Sequence, residues 1–179
     1  MFKYIIADIK AYNEEYKSIG TLKRCVYLFF RYELWGILIY RFGRWASYEC
    51  DIPIIKYMFR TVYFFLRKIS DILFDIGIWP ESEIGPGLNV HNSGIYIKAK
   101  IGKNCVISQQ VIIGHIGGFK GGGVPTLGDN VYVGAGAKIL GEITVGNNVK
   151  IGANAVVIKD IPDNAIAVGV PAKIIKTDE

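Results

Sequence analysis

In the second half of the chain aliphatic residues recur every six positions, at Ile101, Ile107 and Ile113, then at Leu127, Val133, Ile139, Val145, Ile151 and Val157. A period that short is neither the two of a flat sheet nor the 3.6 of a helix, and it is sustained too long for chance. Six residues per side and three sides per turn describe a parallel β-helix, with the aliphatic residue pointing inward and a small residue at each corner. Composition agrees: 17 of the 21 glycines follow Pro80, whereas 20 of the 23 aromatic residues precede it. The expected fold is therefore mainly β, a left-handed parallel β-helix over residues 81–179 behind an α-helical region over 1–80. At 179 residues the chain has room for such an array and one attached module.

The beat fails in two places, and departures from a scaffold's rhythm mark candidate functional sites. Ile84 and Val90 begin the array, yet Val90 and Ile101 are 11 apart rather than 12, which suggests one residue lost beside His91. Between Ile113 and Leu127, 14 residues replace six, so 114–126 (GHIGGFKGGGVPT) is an excursion loop. Its glycines lack the Gly-Lys-Ser/Thr ending and strand-loop-helix setting of a nucleotide-binding P-loop.

The first half reads as helices. In the second helical stretch Lys56, Arg60, Arg67 and Asp71 share a narrow arc at about 100° per residue, and the remainder is apolar. No run of 18 residues is free of charge, which argues against a spanning helix. Two readings stay open for residues 22–78: an oligomer core, or helices lying on the inner membrane surface with Trp35, Tyr40 and Trp45 at the boundary. Of the net charge of +5, residues 1–80 carry most, with 12 Lys/Arg against 8 Asp/Glu; interleaved with apolar residues, they form no stripe for nucleic acid. Cys25, Cys50 and Cys105 are odd in number and widely spaced, suggesting neither disulfides nor zinc. No signal-peptide pattern opens the chain, so the expected location is cytoplasmic, with peripheral attachment to the membrane as an option.

Residues 124–175 (VPTLGDNVYVGAGAKILGEITVGNNVKIGANAVVIKDIPDNAIAVGVPAKII), with GLNVHNSGIYI and IGKNCVISQQVIIG before them, resemble the hexapeptide-repeat acyltransferases, most of all the serine acetyltransferase-like branch. YELWGILIYRFGRWA (32–46) adds a weaker likeness to a helix of that branch. The resemblance implies a homotrimer with active sites between adjacent coils, acetyl-CoA as co-substrate and no metal. His91 matches the family's catalytic histidine, and imidazole, with a free pKa of about 6.5, suits a base that activates a hydroxyl for attack on a thioester. Gly114, His115, Ala135, Ala153, Pro171 and Lys173 fall at or near family positions along the CoA path. Asn92, Ser93, Gln109 and Gln110 are candidates for the acceptor by proximity.

Three departures bear on the acceptor. Gly123-Val124-Pro125 stands where the serine enzymes carry Arg-His-Pro, so a carboxylate-binding pair is missing. The acid that orients the imidazole would fall at Gly77, leaving Asp75, Glu81 or Glu83 as substitutes. The helical region is shorter, basic and aromatic. Loss of a charged contact to a small zwitterion lowers affinity by orders of magnitude. The expectation is therefore an O-acetyltransferase acting on a sugar hydroxyl in cell-surface polysaccharide biosynthesis, on a glycan or lipid-linked glycan acceptor. The alternatives are a serine O-acetyltransferase of cysteine biosynthesis and a non-catalytic trimeric scaffold. A carbonic anhydrase needs three histidines, and the chain has two.

Overall fold

The computed structural model describes residues 1–15, 17–18, 20–117 and 122–177. Residues 118–121 of the excursion lie outside the described residues.

The hexads form a parallel β-helix of about five turns with helices at its N-terminal end. One face holds β1 (Ile76–Ile78), β4 (Ile95–Ile97), β7 (Ile112–Gly114), β10 (Lys138–Leu140) and β13 (Val156–Val157). The second holds β2 (Glu83–Ile84), β5 (Lys100–Ile101), β8 (Thr126–Leu127) and β11 (Thr144–Val145). The third holds β3 (Asn89–Val90), β6 (Val106–Ile107), β9 (Tyr132–Val133), β12 (Lys150–Ile151), β14 (Ala165–Val168) and β15 (Lys173–Thr177). Neighbouring strands are parallel except β14 and β15, which run antiparallel at the C-terminal end. The ladder begins at Ile76, within the span 1–80 in which the sequence suggests helices.

The aliphatic residues stack in three inward columns, one per face: Ile78, Ile97, Ile113, Ile139 and Val157; Ile84, Ile101, Leu127, Val145 and Ile161; Val90, Ile107, Val133, Ile151 and Ala167. All are 5% exposed or less, so each coil buries its side chains against the coils above and below. At one corner Asn104, Asn130, Asn148 and Asn164 all take left-handed φ values of 54–59°, which Asn tolerates, and their side-chain amides hydrogen-bond from coil to coil.

These columns correct the register expected beside His91. Val90 to Ile97 spans seven residues where the equivalent steps, such as Ile107 to Ile113, span six; Ile97 to Ile101 spans only four. One residue is gained at the His91 corner and two are lost at the next. The interval of 11 visible in the sequence was the sum of the two changes.

The helical region comprises α1 (Phe2–Glu15), α2 (Thr21–Phe29), α3 (Tyr32–Arg44) and α4 (Pro53–Ile69), with a wide π turn extending each of the last two. α3 lies on the first coil, and α4 packs on α3 with Phe59 against Phe42 and Trp45. Gly43 permits this contact, because the Tyr63 ring occupies the space a β-carbon would need.

α1 and α3 close the open end of the β-helix with polar side chains. Arg44 donates to the carbonyls of Pro80 and Ser82, and Tyr40 also to Ser82. Arg41 donates to the carbonyls of Ile84 and Gly85, both at 2.6 Å. Asp8 Oδ1 accepts the N–H groups of Gly87 and Leu88, each at 2.9 Å, while Arg41 Nε holds its other oxygen at 2.9 Å. The Tyr12 hydroxyl both donates to the Val90 carbonyl and accepts the Val90 N–H. Edge-strand groups that would otherwise lack partners are thus met by helical side chains.

Candidate active site

His91 leaves β3 at the corner leading to β4. It is half-buried, and its N–H donates to the Ile107 carbonyl at 2.8 Å, so its backbone remains in the ladder. The extra residue of this corner is accommodated by Asn92 in the left-handed region, at φ +63°, and by Gly94 at +77°. Two helical side chains bracket the histidine: the Tyr12 hydroxyl fixes both backbone groups of Val90, and Glu33 Oε1 accepts the Asn92 N–H at 3.2 Å. Glu33 is 2% exposed and ion-paired at 3.1 Å with Arg31, which stacks over the Tyr12 and Tyr27 rings. Sequence reading missed Tyr12, Arg31 and Glu33. The one available signal was that Glu33 lies in the stretch similar to the family's aromatic and Arg-rich helix.

Below this corner the ladder continues in register. His91, Ser108, Gly134 and Gly152 occupy one row, each N–H donating to the next coil, and Asn92, Gln109, Ala135 and Ala153 occupy the adjacent row. With strands about 4.8 Å apart, Ala135 lies about 10 Å and Ala153 about 14 Å along the edge from the histidine corner. The structure therefore brings His91, Asn92, Gln109, Ala135 and Ala153 onto one edge. Asn92 Nδ2 donates to Gln109 Oε1 at 3.0 Å, and Gln110 donates its N–H to the Ser93 carbonyl at 2.9 Å, so these polar residues tie the first two coils together at the corner.

Other sequence candidates lie elsewhere. Gly114 ends β7 on the far side of the first face, with exposed His115 after it. Pro171 and Lys173 are exposed at the C-terminal cap. The Asp75 carboxylate accepts the Tyr96 hydroxyl at 2.6 Å, which raises the phenol pKa, and its carbonyl accepts the N–H groups of Gly94 and Ile95. Glu81 lines a cavity with Arg60 and Arg67, and Glu83 lines another with Arg41 and Arg44; neither cavity includes His91. At Gly77 the Tyr96 ring passes 2.8 Å from the place of a β-carbon, so the space for an acid there is filled. The Glu33 carboxylate, by contrast, bonds to the turn carrying His91.

A family model described as bacterial transferase hexapeptide (six repeats) matches residues 125–159. A serine acetyltransferase of Synechococcus elongatus is 33% identical over 178 residues, covering 98% of this chain and 69% of that protein. One from Helicobacter pylori strain J99 is 46% identical over 125 residues, covering 66% of this chain and 73% of that protein. Among solved structures, Neisseria gonorrhoeae serine acetyltransferase in complex with serine superposes with a TM-score of 0.78 at 32% identity, over 96% of this chain and 67% of that one. A serine acetyltransferase complex with CoA gives 0.77 at 29% identity, over 97% and 68%. The chain thus spans about two thirds of the length of these structures.

These likenesses overturn the sugar acceptor expected from the sequence. That expectation rested on three local departures, foremost Gly123-Val124 in one loop, whereas proteins named for serine match nearly the whole chain, its helices included.

Proposed function

The chain belongs to the serine acetyltransferase family of hexapeptide-repeat transferases, and on that basis we propose that it moves the acetyl group of acetyl-CoA to the hydroxyl of L-serine. The observation that carries this is the shared edge, on which His91 stands in line with Ala135 and Ala153. Acetyl-CoA is the co-substrate, and no metal is needed. Ala135 and Ala153 present a single methyl group each, which suits the slender pantetheine arm. A homotrimer would complete the groove with a neighbouring coil.

In this reading the His91 imidazole takes the serine hydroxyl proton as the oxygen attacks the thioester carbonyl. The tetrahedral intermediate, its oxyanion held by a backbone N–H of the groove, collapses with cleavage of the C–S bond. The imidazolium returns its proton to the departing CoA thiolate, so the base is regenerated. Tyr12 and Glu33, bonded to the residues on either side, hold the histidine backbone in place. With Gly123-Val124 in place of Arg-His, a different cation must meet the serine carboxylate, and Arg31 is brought beside the His91 turn through Glu33.

The test is release of CoA thiol with L-serine against a panel of free sugars. Serine should be turned over, and His91→Ala should lower kcat by about 10²–10⁴-fold with an unchanged circular dichroism spectrum. Turnover of a sugar but not of serine, or an unimpaired variant, would refute the proposal.

A further inference from the structure

α4 is oriented opposite to an ordinary surface helix. In its charged arc half-buried Arg67 turns toward the body of the protein, 4.9 Å over the Trp79 ring, and exposed Arg60 stands beside it on the rim of a cavity. Its outward face is apolar: Ile54 is 84% exposed, Tyr57 69%, Met58 55% and Phe65 62%, and Ile72 in the following π turn is 77% exposed. Of the residues in α4, only Tyr63 is fully buried. A stripe about 25 Å long, lined by large side chains, is more than the scattered exposure normal for a soluble surface.

Beneath one rim of the stripe lies a cavity of about 340 Å³ lined by Arg60, Tyr63, Phe64, Arg67, Ser47, Tyr48, Pro80 and Glu81. Phe64 belongs to both, 57% exposed on the helix and forming the lip of the cavity. Tyr63 lines this space with 93% of the residue buried; Arg67 is its adjacent cation, and burial pushes the phenol up to about 12. Arg60, which is exposed, and Arg67, which also pairs with Asp71 at 3.8 Å, give the cavity its donors for a phosphate, with Glu81 at the margin.

Charge selects the occupant. α4 carries four Lys/Arg (Lys56, Arg60, Arg67 and Lys68) and no Asp or Glu, and Asp71 in the following π turn pairs with Arg67 at 3.8 Å. An anionic bilayer offers what both parts of the surface require, acyl chains for the stripe and phosphate for the arginines. Among the described residues no helix is long and apolar enough to cross a membrane, so the contact would lie in the interfacial plane. We propose that α4 seats this protein on a bilayer containing anionic phospholipid, with a lipid phosphate in the Arg60–Arg67–Tyr63 cavity.

The experiment is co-sedimentation of the full chain with vesicles of phosphatidylcholine alone and of phosphatidylcholine mixed with phosphatidylglycerol. Binding should be strong to the mixed vesicles, weak to the neutral ones, and reduced by salt. Phe65→Glu with Ile72→Glu should weaken it by about tenfold or more, and Arg60→Gln by about fivefold on mixed vesicles alone. Acetyl transfer and circular dichroism should be unchanged, since none of these residues touches the His91 edge. Absence of binding to either vesicle would overturn the proposal. So would an assembly that shrinks in light scattering with Phe65→Glu while vesicle binding persists, since the face would then be a self-contact. Equal binding of inorganic phosphate, seen as full competition at millimolar concentration, would make free phosphate the ligand and overturn the lipid assignment.

Discussion

In the coils, strand N–H and C=O groups are met by the coil on either side, and three aliphatic columns are sealed from water. The first coil is met instead by Asp8, Tyr12, Tyr40, Arg41 and Arg44, reaching across from α1 and α3, while α4, packed against α3, leaves an apolar face bare. The β-helix thus owes its stability to repetition, and the helical region to a few irreplaceable polar contacts. Loss of one rung in a repeat is shared with its neighbours; loss of one anchor leaves a buried charge alone.

The largest effect should come from the anchor. Asp8→Ala strands Arg41, which is 5% exposed, and should cost about 3–5 kcal/mol of stability in urea unfolding. A loss below 1 kcal/mol would mean that the helical lid is not coupled to the coils. Next, Ile139→Ala, in the middle of a column, should cost about 2–4 kcal/mol by the same measurement, whereas Phe65→Ala on α4 should change stability by no more than about 0.5 kcal/mol. Equal effects at the two sites would abolish the contrast between a sealed core and a bare face.

A smaller effect belongs to alkaline pH. Burial raises the Cys105 thiol from 9.0 to about 11. Protonated in the fold and more readily ionised when unfolded, it contributes its full stability below about pH 9 and loses it as pH rises toward 11. Thermal melts from pH 8 to 11 should fall more steeply for wild type than for Cys105→Ala, by on the order of 2 kcal/mol across the window. Parallel curves would place Cys105 in contact with water.

Legibility in the sequence divided along the same line. Hexads are local, so Ile101 to Val157 announced the coils and their inward residues. His91 stood out because it interrupts a short-range pattern, though two opposite irregularities at adjacent corners summed to a misleading single deletion. The lid was illegible for a physical reason: Asp8 meets Gly87 and Leu88, and Tyr12 meets Val90, across nearly 80 residues of chain without periodicity. A buried Asp8 and an ordinary surface aspartate look the same in one dimension. Weight placed on Gly123-Val124 misdirected the acceptor, because two loop residues say less than a likeness that runs through 98% of the chain.

A stack of parallel coils is, by its geometry, a template on which identical coils could add without end, as they do in fibres. This chain stops growth at both ends by different means. The antiparallel turn of β15 presents the wrong strand direction to an incoming coil, and the Asp8–Arg41–Tyr12 lid consumes the hydrogen bonds at the opposite edge. The number of coils in the stack is therefore set by its two end-stops.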